Sequence, residues 1–384
     1  MVLLEASYGG GHAHAAAALA ASLAELAPSL RVERVDVFDR ISPALNEATR
    51  YAYIQCLIHV PLLWREVYER TRHVPPDSPW QLLDRAAARR VGRFLAGKRP
   101  RAVVATHPGP ARLAGALRAA GQLDAPVFAV VTDYVVHGLW AHPGVDWYLV
   151  GHEAVRDGLT ARGIDPARVA VTGIPIHPRF GRPADRERLR RAWQLGPEPV
   201  VLFMAGSAGL VRGMEDACRA LVQAQGRFQL LVVAGRDGVL ERRLRAAVAG
   251  AARPARVLGF VDRVDELMSL ADLLLSKAGG LTVSEALAKG LPMVIYRPIP
   301  GQEEGNAAFL VAHGAARVTR EPQELVAQVQ HLLRSPGLRA QMAAAASQLG
   351  RPQAGLAAAG LLLEAAGLAG RDGGPRRDGG DGLG

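Results

Sequence analysis

The sequence predicts an α/β fold of two Rossmann-like domains, each built on a parallel sheet, facing each other across an interdomain cleft. Three observations carry this expectation. Short apolar runs of strand length alternate with helical stretches. The alternation restarts after a proline-rich segment. The chain of 384 residues is long enough to bury two separate cores.

Taken in order, residues 2–6 read as a first strand, Gly9-Gly10-Gly11 as its turn and 12–26 as an alanine-rich helix, with a second strand over 32–38. A long helical region follows, then strand-like runs at 102–105, 127–132, 147–150 and 169–172. Pro175, Pro178 and Pro183 stiffen a linker over 174–183. Beyond it the pattern gives strands at 200–204, 230–234, 255–258, 273–276 and 293–296, and helices at 323–333, 336–349 and 355–368. The expected division is an N-terminal domain at 1–175, a C-terminal domain at 176–345, a last helix within 346–369, and a tail at 370–384 whose glycine, arginine and aspartate predict disorder.

The most informative stretch is Ser276-Lys277-Ala278-Gly279-Gly280-Leu281-Thr282-Val283-Ser284-Glu285, followed by Pro300-Gly301-Gln302-Glu303-Glu304. A buried strand ends where the glycines start, and a helix is expected to open near Thr282. Glycines let the backbone approach an anion, and the unpaired amides of a first helical turn, at the positive end of the dipole, hold a diphosphate. No metal is then required. Gly279, Gly280, Leu281 and Thr282 are the candidate phosphate contacts. Glu285 lies one turn into the helix, where a carboxylate accepts hydrogen bonds from two ribose hydroxyls. Gln302 and Glu303, at the exit of the next strand, come beside the same crevice and are placed to read sugar hydroxyls. A strand, a turn and an ordinary helix would explain the Gly-Gly pair alone. With Glu285, Gln302 and Glu303 added, the stretch resembles the donor site of a nucleotide-sugar glycosyltransferase.

Composition narrows the partners. A hydrophobic content of 49% and a mean hydropathy of +0.08 fit a soluble globular chain. The net charge of +10 comes from arginine, with a dense run at Arg85, Arg89, Arg90, Arg93, Lys98, Arg99 and Arg101. It favours acidic partners, an anionic membrane surface among them. No helix-turn-helix, zinc-finger or RNP signature is present, so nucleic acid is not expected. Cys56 and Cys218 lie in unrelated segments without metal-ligand spacing, which gives neither a disulfide framework nor a zinc site and fits a reducing cytoplasm. The chain enters Val2-Leu3-Leu4 without the layout of a secretory signal. The most apolar segment, 51–63, is shorter than a span of ~20 residues and contains Gln55, His59 and Pro61, so no membrane crossing is expected.

Ser7-Tyr8-Gly9-Gly10-Gly11-His12 follows a strand and opens a helix, with Asp36 at the end of the next strand, as in a dinucleotide site. Counting from Gly9 and Gly11, however, His14 stands where the third glycine belongs, which weakens an NAD-dependent oxidoreductase reading. A histidine at such a turn either caps the helix or serves as a general base. His12 is the first candidate for the base. Thr132-Asp133-Tyr134, with His137, Trp140 and His142 nearby, forms a second polar cluster at a strand end, and Asp133 either orients His12 or is itself the base. The three histidines lack metal-site spacing, so no metal or other cofactor is expected.

Together these pieces resemble glycosyltransferase family 28, and within it the monogalactosyldiacylglycerol synthase and processive diacylglycerol glucosyltransferase group more than the peptidoglycan enzyme MurG. The resemblance reaches to about residue 345. It rests on Gly9-Gly10-Gly11-His12, on Thr132-Asp133-Tyr134 with His137 and Trp140, on Val171-Thr172-Gly173-Ile174-Pro175, on the 277–285 stretch, and on Pro300 through Gly305-Asn306.

The resemblance implies a GT-B architecture, an N-terminal domain for a lipid acceptor, a C-terminal domain for a UDP-sugar, and inversion without an essential divalent cation. It also implies a last helix that crosses back onto the N-terminal domain. Carried over residue by residue, Glu285 holds the ribose, 279–282 the diphosphate, Gln302 and Glu303 the sugar, and Phe260 the uracil pocket. Gly206 and Ser207 sit in the donor loop after the first C-terminal strand, where relatives are richer in glycine. Gly10, Gly11, His12, His137 and Trp140 adjoin the acceptor.

The region 45–68, with Tyr51, Tyr53, Leu62, Leu63, Trp64 and Tyr68, matches the place where the family engages lipid; a buried helical hairpin is the alternative. The implied reaction moves a hexose (glucose, galactose or N-acetylglucosamine) to diacylglycerol at the inner face of the cell membrane. A MurG-like transferase to another lipid, an NAD-dependent oxidoreductase and a non-catalytic lipid-binding protein are the alternatives.

Overall fold

The computed structural model describes residues 1–368 apart from 9, 72–80, 207–208, 210 and 252. The tail expected at 370–384 and the donor candidate Ser207 lie outside the described residues. The N-terminal half runs β1 (Val2–Glu5), α1 (Gly11–Leu26), β2 (Glu33–Asp36), α2 (Val37–Ile41), α3 (Pro43–His59), α4 (Pro61–Thr71) and α5 (Gln81–Lys98). It continues with β3 (Val103–Ala105), α6 (Pro108–Ala119), β4 (Val127–Val130), β5 (Trp147–Val150), α7 (Glu153–Thr160) and β6 (Val169–Val171). Its six strands are parallel in the order β2-β1-β3-β4-β5-β6. Helices cover both faces, so β3 and β4 are wholly buried and read as unbroken apolar runs.

The second half contains α8 (Arg186–Ala192), β7 (Val200–Met204), α9 (Met214–Gln223), β8 (Gln229–Val233), α10 (Gly238–Val248), β9 (Ala255–Leu258), α11 (Val264–Leu270) and β10 (Leu273–Ser276). Then come α12 (Gly280–Ala288), β11 (Met293–Tyr296), α13 (Gln302–Ala312), β12 (Ala316–Thr319), α14 (Pro322–Arg334), α15 (Pro336–Leu349) and α16 (Ala354–Ala365). This sheet is also parallel, ordered β12-β11-β10-β7-β8-β9. Strand β12 has no counterpart among the sequence-based expectations. It is an edge strand whose Arg317 and Val318 face solvent, so it lacks the apolar run that marks a central strand.

Strand order reverses between β1 and β3 in one sheet and between β7 and β10 in the other. Open parallel sheets bind ligands outside the carboxyl ends of their strands at such reversals, and here the two reversals face each other. The chain crosses between the halves twice. After α15 packs on the second half, α16 sets Ala358, Ala359, Leu362 and Leu363 into a core shared with Leu3, Leu19, Leu23 and Phe128 of the first. The two crossings touch: a Cβ at Gly181 would lie 2.7 Å from the Pro352 carbonyl, and one at Gly355 2.5 Å from the Ile176 carbonyl.

Candidate active site

The facing loops enclose a cavity of about 630 Å³. On the C-terminal side α12 begins at Gly280, two residues before the expected start at Thr282, and its N-cap, Gly279, supplies no side-chain cap to the first-turn amides. Gly280 cannot carry a side chain, because a Cβ there would lie 1.9 Å from the Thr132 carbonyl and 3.3 Å from Asp133 Oδ1. Contact between the domains, rather than approach of an anion, is what excludes a larger residue at this position. Leu281 and Thr282 line the cavity as the first turn proceeds.

Glu285, one turn on, also lines the cavity, and among the described residues nothing donates a hydrogen bond to its carboxylate. Burial pushes its carboxyl up to about 8, against the opposing pull of the Arg179 guanidinium. Glu303 is only 4% exposed. Its Oε1 is ion-paired with Lys277 and its Oε2 accepts from the Ile299 amide at 3.0 Å. Gln302 faces the Tyr53 hydroxyl and keeps a buried Oε1 without a hydrogen-bond partner. Phe260 is 46% exposed and carries the Arg236 guanidinium 3.8 Å over one ring face. Gly206 borders the same cavity beside the Lys277 side chain.

Across the cavity, His12 Nδ1 lies 2.6 Å from the Thr106 carbonyl and 3.0 Å from Thr132 Oγ1. A carbonyl can only accept, so Nδ1 carries the proton and Nε2 keeps its lone pair. Burial lowers the His12 pKa to about 4, opposed by that carbonyl. The edge of His107 packs against its ring at 4.6 Å between centroids. Asp133 Oδ1 accepts from Asn306 Nδ2 at 2.9 Å. Burial raises the Asp133 pKa to about 6; the Asn306 hydrogen bond and Lys277 restrain the rise, while Glu303 adds to it.

The acceptor candidates divide. Gly11 opens α1 on the cavity wall and Gly10 is its N-cap. His137 caps the short turn at Gly138–Trp140 through Nδ1, while Nε2 lies 3.2 Å from both the Tyr68 carbonyl and Thr71 Oγ1. Trp140, at 2% exposed, belongs to the N-terminal core and touches the cavity from within it. The α3–α4 hairpin is split by face rather than buried: Leu57 and Tyr68 turn inward, whereas Leu45, Tyr51, Val60, Leu62, Leu63 and Val67 are exposed, Leu62 at 71%.

Asp36 is already committed, accepting from the Ser7 amide at 2.9 Å and capping α2 through the Phe38 amide. That removes the ribose ligand on which the dinucleotide reading depended. Tyr53 and Tyr68, from the region matched to lipid contact, reach the cavity from the α3–α4 hairpin, and Lys277 and Arg179 border it as well. Lys277 stands inside the quoted motif; Arg179 is brought to the cavity only by the fold. Among the described residues no cluster of His, Cys, Asp and Glu could hold a metal ion, and no helix is long and apolar enough to cross a membrane.

Comparison with known proteins follows this layout. Residues 12–176 match the family model for monogalactosyldiacylglycerol (MGDG) synthase, and 200–355 that for the glycosyltransferase family 28 C-terminal domain. The processive diacylglycerol beta-glucosyltransferase of Bacillus subtilis (strain 168) is 31% identical over 337 residues, spanning 87% of this chain and 86% of that protein. Among solved structures, Acinetobacter baumannii MurG superposes with a TM-score of 0.60 at 18% identity, covering 94% of this chain and 99% of that one. Anabaena HepE in complex with UDP-glucose gives 0.57 at 16% identity, covering 95% and 99%. The two structural likenesses are of fold, the GT-B arrangement of two facing parallel sheets.

Proposed function

We infer the reaction from kinship and geometry together: this chain belongs to glycosyltransferase family 28, in the group of monogalactosyldiacylglycerol synthases and processive diacylglycerol β-glucosyltransferases. It transfers a hexose from a UDP-sugar to diacylglycerol. The observation that carries this reading is the start of α12, which has no side-chain cap, with Glu285, unpartnered among the described residues, one turn on, opening into the same cavity as His12 and Asp133. The B. subtilis relative's name and the UDP-glucose in HepE favour glucose as the sugar.

In this reading the diphosphate lies against the amides at 280–282 and Glu285 accepts hydrogen bonds from the two ribose hydroxyls. The lipid hydroxyl attacks the anomeric carbon from the face opposite UDP. Asp133 takes its proton as the new C–O bond forms, the bond to the phosphate oxygen breaks, and configuration inverts. The helix dipole stabilises the charge gathering on the departing UDP. Asp133, near pH 6, suits a base at neutral pH better than His12 near 4. His12 stays neutral and its Nε2 orients the attacking hydroxyl. No metal enters this scheme. The exposed Leu62, Leu63 and Val67 of α4, together with the net charge of +10, support docking on the anionic cytoplasmic face of a membrane, where the acceptor resides.

The test is a panel of UDP-sugars offered with diacylglycerol in anionic vesicles, with mass analysis of the lipid products. One or more hexosyl-diacylglycerols are expected. Absence of glycolipid from every donor, or tight NAD binding with no effect of UDP on Tm, overturns the reading.

A further inference from the structure

Asn306 sits on α13 at the end of the second quoted motif, is 0% exposed, and has no part in the reaction as described. Its side-chain amide spans the domain boundary. Oδ1 accepts from the Tyr134 amide at 2.8 Å, while Nδ2 donates to Asp133 Oδ1 and to the Ala278 carbonyl, each at 2.9 Å. A primary amide has two N–H donors and a carbonyl acceptor, and all are matched here. Aspartate at this place would set a second carboxylate against Asp133, and alanine would leave the Tyr134 amide buried without a partner. Ala278 directly precedes Gly279-Gly280, so one side chain joins the acid of one domain to the phosphate-facing turn of the other.

We propose that Asn306 is a positioning residue that holds the Asp133 carboxylate toward the donor turn, and does so only while the two domains are engaged. The inference rests on Asp133 as the base. A donated hydrogen bond favours the ionised carboxylate and so opposes burial. The other charged groups acting on Asp133 are Glu303, which disfavours ionisation, and Lys277, which favours it, both from the C-terminal domain. On the N-terminal side the neutral His12 ring is linked to the loop through Thr132.

The experiment is the pH profile of kcat, with UDP dissociation constants, for the full chain and its variants. Asn306→Ala is expected to hold UDP within about 3-fold of wild type and to lose roughly 10–100-fold in kcat at pH 6–7. Part of that loss returns by pH 8.5, because the acid limb moves up by about one pH unit. Asn306→Asp loses more. Tyr134→Phe removes a different domain-spanning bond, from the Tyr134 hydroxyl to Ser284 Oγ at 3.0 Å, and leaves the limb in place. A loss in Asn306→Ala that is equal at every pH, or an unmoved limb with full kcat, overturns the inference. Should the alanine variant not fold, Asn306→Ser is judged by the same two outcomes. Asp133→Asn separates the premise. Near wild-type kcat there defeats the base assignment, whereas an inactive Asp133→Asn beside an unmoved limb in Asn306→Ala defeats only the role of Asn306.

Discussion

Two acids face one cavity from opposite domains, and they differ in what meets them. Asp133 receives an N–H from Asn306 and feels Lys277, and it lies near 6; Glu285 receives no hydrogen bond among the described residues, and it lies near 8. Both are raised by burial; at Asp133 the Asn306 hydrogen bond and Lys277 oppose the rise, whereas at Glu285 the opposing pull comes from the Arg179 guanidinium alone. The N-terminal acid is assembled in advance. On the proposed reading the C-terminal acid takes its hydrogen bonds from the ribose hydroxyls of the donor.

The largest test of this contrast is Asp133→Asn, which is expected to cut kcat by roughly 10²–10⁴-fold while leaving UDP affinity near wild type. In the wild type the acid limb of kcat is expected near pH 6; a limb near 4 would transfer the role to His12. Next comes Gly280→Ala. The added methyl overlaps the Thr132 carbonyl, pushes the two acids apart, and is expected to lower kcat on the order of 10²-fold with UDP still bound, as kinetics and calorimetry would show.

Glu285→Gln is expected to weaken UDP by roughly 10–100-fold, the loss of charge-assisted hydrogen bonds to the ribose. Ligand hydroxyls favour the ionised acid, so wild-type UDP affinity should rise with pH up to about 8 and the variant's should stay flat. A flat wild-type titration would mean that Glu285 meets no hydroxyl. The smallest effect is on stability without ligand. A carboxyl whose folded pKa stands above its ordinary 4.5 adds stability that is whole below that value and is lost as pH rises through 8. Tm measured from pH 5 to 9 should therefore fall less steeply in Glu285→Gln.

Legibility in the sequence followed burial. Strands β7, β10 and β11 are buried along their whole length and occupy the residues that their apolar runs predict, because a strand covered on both faces reads as an almost unbroken apolar run. The half-exposed β12 gave no such signal. The donor candidates Gly279, Glu285, Gln302 and Glu303 share a contiguous stretch of chain and line one cavity, so spacing alone brought them together. What spacing could not supply were the partners across the cleft: the Thr132 carbonyl that excludes a side chain from Gly280, the Asn306 amide on Asp133, and the prior commitment of Asp36 to Ser7 and α2. Apart from the local cap that Asp36 places on α2, each is a contact between residues at least 29 positions apart in sequence, and only folding creates it.

The paired crossings have a mechanical consequence. Because Gly181 rests on Pro352 and Gly355 on Ile176, the two crossings meet along one line, and a side chain larger than hydrogen at either glycine would force them apart. A fragment ended at residue 175 would enter solution with the groove around Leu19, Leu23 and Phe128 bared, and a synthetic α16 peptide should close it.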